Sequence, residues 1–325
     1  MKFIELILGA TFIAAAAPLF AGSLVDGYNV LIFNSFSANN SDSNVPIAIA
    51  GNATTANYAF DQSLNSAVPG NYGTVIGGNL TMTGGSGPSP VTYVAGSANL
   101  TNTSCNTGCI QTGGTSPVNF GLLQTQMLNE SWYLAGLAAN GTVASQNSGL
   151  VFNAATPNQS LYIFSVAASE LTSGYTYLDF VGTGNATVIV NVTGSIPDGS
   201  SIVNGGFQGA NGSNVLFNFY NASQITVSSF DASVLAPFAT VYGNPGQFDG
   251  TLVAENFVGG ISADEFHADD TFTGTLPTDP NLNAPPPGSI PTPAPEPGAV
   301  YLLAGGILVV LGLIRFRRGR DGSPK

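Results

Sequence analysis

Apolar residues along this chain recur in short runs, mostly at every second position, broken by Gly, Asn, Ser and Thr. That two-residue period is the mark of β-strands, whose successive side chains point to opposite faces. It predicts strands over Tyr28–Phe33, Val45–Ala50, Gly73–Ile76, Val91–Ala95, Ser160–Val166, Tyr175–Val181, Ala186–Val192, Asn214–Phe219, Gln224–Phe230, Ala232–Leu235 and Gly250–Ala254. Three early segments look alike: Ile47-Ala-Ile-Ala-Gly-Asn52, Thr74-Val-Ile-Gly-Gly-Asn79 and Tyr93-Val-Ala-Gly-Ser-Ala-Asn99. Their glycines, Gly51, Gly78 and Gly96, lie 27 and 18 residues apart. A chain that returns to one pattern at such intervals predicts solenoid rungs rather than a sandwich.

One segment breaks the β pattern. Between Ser116-Pro117 and Asn140-Gly141, the apolar positions Phe120, Leu123, Met127, Leu134 and Leu137 follow a three/four spacing, which is one helical face. Ser116 is placed to cap the start with Pro117 at the first helical position, and Gly141 to stop the helix. A long amphipathic helix in a β body is expected to lie along the sheet and cover part of it. Met127 and Trp132 are expected to serve as core packing rather than as a ligand stripe.

The two ends carry targeting signals. Residues 1–21 hold one Lys, an apolar run from Phe3 and then small residues, the grammar of a secretory signal peptide cleaved after Ala21. Glu5 and Leu19 fit that grammar poorly. Gly298–Ile314 is uncharged and mostly apolar, about 25 Å long as a helix. That is slightly short for a ~30 Å hydrocarbon core, a gap that Phe316 and a snorkelling Arg315 help to close. Arg315, Arg317, Arg318 and Arg320 follow it and place the tail 315–325 in the cytoplasm by the positive-inside rule. The predicted organisation is a signal peptide at 1–21, a β domain at 22–282, a Pro-rich linker at 283–297, a transmembrane helix at 298–314 and the basic tail. The order Pro295-Glu296-Pro297, apolar helix, arginine cluster and chain end resembles the PEP-CTERM sorting signal of Gram-negative bacteria. The resemblance implies an inner-membrane-anchored precursor, recognised near the tripeptide by an exosortase.

Charge sharpens this picture. The chain has 18 Asp+Glu against 6 Lys+Arg, and every basic residue is Lys2 or lies from Arg315 onward. With Glu5 and Asp321 set aside, residues 22–314 hold sixteen acids and no Lys or Arg. Nucleic-acid binding by counterion release, arginine clamps on phosphate and Schiff-base lysines are therefore excluded from the body. Hydrophobic residues make up 44% of the chain and mean hydropathy is +0.25, which argues for a folded body rather than a disordered one.

Little else suggests chemistry. Cys105 and Cys109 are separated by turn formers, and in an exported chain this pair predicts a local disulfide, with free thiols as the alternative. A metal site would need further soft ligands, and no other Cys exists. His267, the single histidine, sits among acids and lacks any G-x-S-x-G companion, so it is expected to be a surface or capping residue rather than a catalytic base. No cofactor is expected. Ca²⁺ on Asp264, Glu265, Asp269 and Asp270 is the one candidate, at a spacing that matches no EF-hand or nonapeptide repeat. Thr81-Met-Thr83, with other Thr, Ser and Asn on solenoid faces, is the kind of pattern that orders water on a flat surface, but the sequence shows no long regular threonine rows.

The body as a whole resembles the choice-of-anchor A domain of bacterial surface proteins. The matching stretches are YNVLIFNSFSANNSDSNVPIAIAGN from Tyr28, TVIGGNLTMTGG from Thr74, the helix from Val118, SVLAPFATV from Ser233, GQFDGTLVAENF from Gly246 and EFHADDTFTG from Glu265. The resemblance implies a mainly β fold, a right-handed parallel β-solenoid with one long helix alongside, similar to the ice-binding-protein fold. It also implies an adhesive or structural role outside the cell, with no catalytic residues. The partners then expected are the secretion machinery, an exosortase, the membrane through residues 298–314, and exopolysaccharide or other surface polymers. The alternative is a carbohydrate- or ice-binding module delivered to the surface.

Overall fold

Parallel strands stacked one rung above another dominate the protein. The computed structural model describes residues 24, 27–60, 72–86, 91–105, 108–172, 174–197, 200–202, 206–261, 265–267 and 271–284. These all belong to the first of two compact units, Met1–Ala284; the second is Pro285–Lys325. The predicted signal peptide, sorting motif, transmembrane helix and basic tail lie outside the described residues. Among the described residues, no helix is long and apolar enough to cross a membrane.

The first run contains β1 (Val30–Asp42), β2 (Ile47–Ile49), β3 (Ala53–Ala59), β4 (Thr74–Ile76), β5 (Leu80–Thr83), β6 (Thr92–Val94), β7 (Ala98–Thr101) and β8 (Ile110–Thr112). The helix α1 (Phe120–Ala135) follows. The second run contains β9 (Gly141–Gln146), β10 (Gly149–Ala154), β11 (Leu161–Ala167), the short α2 (Ala168–Leu171), β12 (Tyr177–Gly184) and β13 (Thr187–Thr193). It continues through β14 (Phe207–Ala210), β15 (Val215–Asn218), β16 (Gln224–Val227), β17 (Ser233–Gly243), β18 (Gln247–Phe248), β19 (Leu252–Ile261) and β20 (Glu265–Phe266).

The stacking order is not the chain order. Along the main sheet it reads β11-β13-β15-β17-β19-β1-β2-β4-β6-β8. The first strand, β1, therefore lies in the middle of the stack, and the first run climbs from it to one end. The second run starts at the other end and returns, until β19 docks on β1 with Leu31 opposite Val253. A second side of the coil is formed by β16, the late parts of β17 and β19, the late part of β1, and then β3, β5 and β7, all parallel. A third side carries β12 and β14, then β18 paired with β20.

Each end of the stack is closed by a local device, as terminal repeats require. At one end β9 turns back antiparallel on β10 through Asn147 and Ser148, both at positive φ (49° and 65°), the pairing that a tight hairpin turn demands. It is the one antiparallel pairing among the named strands. At the other end a disulfide joins Cys105 to Cys109, and the Cys109 carbonyl accepts from Thr92 N (2.8 Å) at the start of the last rung.

Two apolar cores result. The first fills the coil and contains a column of phenylalanines, one per rung: Phe152, Phe180, Phe207, Phe230, Phe248 and Phe266, with neighbouring ring centroids 4.7–6.1 Å apart. That spacing follows from a rung height of about 4.8 Å. The second lies outside the main sheet, under α1. Leu235, Val253, Leu31, Ala48, Val75 and Tyr93 form one register column there, joined by Met127 and Leu134 from the helix. At about 24 Å, α1 is long enough to cross roughly five strands.

The helix is shorter than the sequence predicts. Its N-cap is Asn119, whose Oδ1 accepts from Leu122 N at 3.2 Å, and it stops at Gly136. Ser116 instead ties the preceding turn, accepting from Val118 N, and Gly141 begins β9. Met127 is core as expected, but Trp132 is 37% exposed and is not.

Candidate functional site

The sheet on the second side is bordered by amide and glycine columns along its two edges. At one edge the three glycines of the repeated segments stack: Gly78 N donates to Gly51 O (2.8 Å), and Gly96 N to Gly78 O (2.9 Å). A side chain on Gly51 would collide with the Asn34 carbonyl, so the rung corner requires glycine. Beside them Asn52 Oδ1 accepts from Asn79 N (2.8 Å, 27 residues away), and Asn79 Oδ1 accepts from Ser97 N (2.9 Å, 18 residues away). The ladder extends across the chain's return, where Asn256 Oδ1 accepts from Ser35 N and Asn34 Nδ2.

At the other edge each rung turns through a left-handed residue: Asn40, Asn57, Gly84 and Asn102, with φ of 51°, 48°, 69° and 53°. Asparagine and glycine are the residues that tolerate this conformation. Asn57 Nδ2 donates to Asn40 Oδ1 at 3.0 Å, joining two corners.

Between these edges, strand alternation turns Phe36, Ala38, Ala53, Leu80 and Met82 inward and sends short polar side chains out. Register places Ser37, Thr54, Thr81 and Asn99 in one row, and Asn39, Ala56, Thr83 and Thr101 in a second. Successive members of a row are spaced by about 4.8 Å and the two rows by about 7 Å. The rows that are invisible along the chain are therefore regular in space over four strands, although mixed in residue type. With β19, β17 and β16 the side runs about 30 Å, and its later half presents Val258, Tyr242 and Thr240. None of these outward residues is charged.

The other candidates do not assemble. His267 is half-buried at the β18–β20 edge, where its ring nitrogens meet the carboxamides of Gln247 (3.0 Å) and Asn44 (3.4 Å). Among the described residues, no three His, Cys, Asp or Glu side chains gather as metal ligands; Asp264, Asp269 and Asp270 lie outside them. A cleft of about 860 Å³ opens near β13, between Asn158, Gln159, Asn185 and Asn214 and the strap 273–277. None of its lining residues is ionisable.

Sequence reasoning missed the way α1 holds the end of the body. Asn129 Nδ2 donates to the carbonyls of Asn281, Leu282 and Ala284, and Gln126 Nε2 to Asn283 Oδ1 (2.9 Å). Beside them Glu130 is buried, and its carboxyl is pushed up from 4.5 to about 8, first by burial and then by Asp279. A carboxyl protonated in the fold and ionised in the unfolded chain gives its full contribution below the unfolded pKa. That contribution is lost between about pH 4.5 and 8, at up to about 1.4 kcal/mol per pH unit. Glu130→Gln is expected to remove this part of the slope, seen when wild-type and variant denaturation midpoints are compared from pH 5 to 8. Equal slopes would contradict the assignment.

Residues 21–268 match the family described as "Putative Ice-binding-like adhesive domain". The crystal structure of an ice binding protein from an Antarctic biological consortium is similar at 16% identity, covering 83% of this chain and 95% of that one, with a TM-score of 0.33. No curated protein matches the chain. The family's description supports a surface-binding, non-enzymatic role. With the match spanning both runs of the coil and the helix between them, the chain belongs to the ice-binding-like adhesive domain family.

Proposed function

We propose that this protein is an exported, non-enzymatic adhesive or structural component of the cell surface or extracellular matrix. In this reading it contacts exopolysaccharide through the second side of its coil. The carrying observation is the pair of uncharged rows, Ser37-Thr54-Thr81-Asn99 and Asn39-Ala56-Thr83-Thr101. Hydroxyls and amides at a fixed spacing make many weak, simultaneous hydrogen bonds to a hydroxylated polymer, and avidity turns these into firm attachment. With no Lys or Arg from residue 22 to 314, the surface has no cationic clamp and repels acidic polymers.

Delivery belongs to the ends. Residues 1–21 direct export with cleavage after Ala21; Pro295, Glu296 and Pro297 mark the tail for an exosortase; residues 298–314 hold the precursor in the inner membrane, with Arg315, Arg317, Arg318 and Arg320 inside. The body's last described residues, 281–284, are clasped by α1. Ice binding is the second reading, favoured by the hydroxyl rows themselves; their mixed composition favours a polymer.

One experiment addresses both parts. Cells carrying wild-type protein, a Pro295–Pro297 triple-alanine variant and Thr81→Lys/Thr83→Lys are fractionated and assayed for retention on their own exopolysaccharide. Wild type is expected at the surface without its arginine tail, the triple-alanine variant in the inner membrane, and the double-lysine variant at the surface with at least tenfold weaker retention. Unprocessed wild type found solely in the cytoplasm, or undiminished retention of the lysine variant, would overturn the proposal. Thermal hysteresis without polymer retention would select ice instead.

A further inference from the structure

Three aromatic side chains come together at the surface where α1 meets the sheet. Trp132 lies 5.7 Å from Tyr220 and 6.0 Å from Phe238, ring centroid to centroid, edge to face in both cases. Trp132 is 37% exposed and Phe238 40% exposed. They come from three elements: α1, the segment after β15, and β17. The rim is polar. Thr193 Oγ1 and Tyr220 Oη are 2.9 Å apart, Asn221 Oδ1 accepts from Gly194 N (2.9 Å), and Ser223 stands one step further on, all except the half-buried Tyr220 and Gly194 being exposed.

Exposed large apolar groups gathered in one place mark binding sites, whereas scattered ones do not. Its size indicates the occupant. Side chains of 150–250 Å² exposed to this degree leave about 200 Å² of open aromatic surface, far short of the roughly 800 Å² per partner that a stable protein interface buries. The patch suits one or two small rings. Its chemistry is an apolar face bordered by hydroxyl and amide groups, complementary to a pyranose, which has an apolar C–H face and equatorial hydroxyls. No rim residue is charged, and no Lys or Arg occurs between residues 22 and 314, so the patch offers nothing to an anionic sugar.

We infer that Trp132, Tyr220 and Phe238 form a stacking subsite for a neutral polysaccharide, with Thr193, Asn221 and Ser223 contacting its hydroxyls. The inference rests on the adhesive reading for its class of partner, but uses a surface separate from the two polar rows. The rows spread contact along a polymer, and the aromatic subsite fixes one sugar ring.

Trp132 is the only tryptophan, so its fluorescence reports on this site alone. Full-length protein in a non-glycosidic detergent is titrated with soluble cello-, malto- and manno-oligosaccharides, with oligogalacturonate as the anionic control. At least one neutral series is expected to shift Trp132 emission saturably, and the control to leave it unchanged. By calorimetry, Trp132→Ala and Phe238→Ala are expected to weaken that binding at least tenfold, the equivalent of about 1.4 kcal/mol each, and Trp132→Phe to retain part of it. Retention of the wild type on exopolysaccharide is read beside the Trp132 emission shift: retention without a shift marks failure of this subsite, and a shift without retention marks failure of the polar rows. Silence with all three neutral series, binding unaffected by both alanine variants, or a concentration-dependent dimer that itself shifts Trp132 emission would overturn the inference.

Discussion

Phe230→Ala is expected to destabilise the folded body by about 4 kcal/mol, the cost of a large aromatic deleted from a packed core. Phe230 is 1% exposed and touches Phe207, Phe217 and Phe248 at centroid distances of 5.6, 5.2 and 6.1 Å. It is one member of the phenylalanine column, and its neighbours in the column are fixed by strand register. They cannot close the gap without breaking the ladder at that rung, so the cavity persists. In a domain of this size each kcal/mol moves the midpoint by about 2–4 °C, so thermal unfolding is expected on the order of 10 °C lower. Phe230→Leu, which keeps most of the volume, is expected to cost much less. A loss under about 1 kcal/mol for the alanine variant would show that the column is not a continuous core.

Asn218→Ala is expected to cost about 3 kcal/mol for a different reason. Asn218 is completely buried beneath α1, in register between Asn191 on one side and Leu235 on the other, where the column passes from polar to apolar. Its amide donates to Ser131 O (2.8 Å) and Asn191 Oδ1 (2.8 Å), and its oxygen accepts from Ser131 Oγ (2.6 Å). Asn191 Nδ2 in turn donates to Leu134 O at 2.7 Å, capping one of the last helix carbonyls. Removing Asn218 strands several buried partners, each costing about 1–3 kcal/mol when left unpaired. Because the groups act as one network, Asn191→Ala combined with Asn218→Ala is expected to cost less than the two singles together. Calorimetric unfolding of the two single variants and the double tests this, and strict additivity would refute a shared network.

These two residues differ in how visible they are in the sequence. Phe230 is legible as a large apolar residue closing a predicted strand, although strict alternation with Ile225 and Val227 would turn it to the other face. The left-handed turn at Ser229 (φ 36°) breaks that alternation before Phe230, which is buried in the same core. Asn218 looks like any of the many asparagines in a turn-rich chain, and only its register opposite Asn191 and under Ser131 reveals a structural asparagine. The same holds for the polar rows. Thr81-Met-Thr83 is legible as an outward pair, but its alignment with Thr54, Asn99 and Thr101 depends on rungs of unequal length falling into register. Trp132 was misread because helical periodicity identifies the face that packs and says nothing about a ring at its border, where Tyr220 and Phe238 come from distant rungs.

The sequence alone determined the β character, the repeat near 18 and 27 residues, the helix as an interruption, the predicted addresses at the two ends, and a body free of Lys and Arg. All of these are written in local pattern or composition. Only the tertiary structure decided that β1 lies in mid-stack, with residue 31 against residue 253, and that α1 clasps residues 281–284. It alone also placed the polar rows and the aromatic trio at the surface. The pairings of residue 31 with residue 253, of α1 with residues 281–284 and of Trp132 with Tyr220 and Phe238 join residues far apart in the chain, and no period in the sequence encodes them. They follow from which apolar columns can be buried together once every rung has closed.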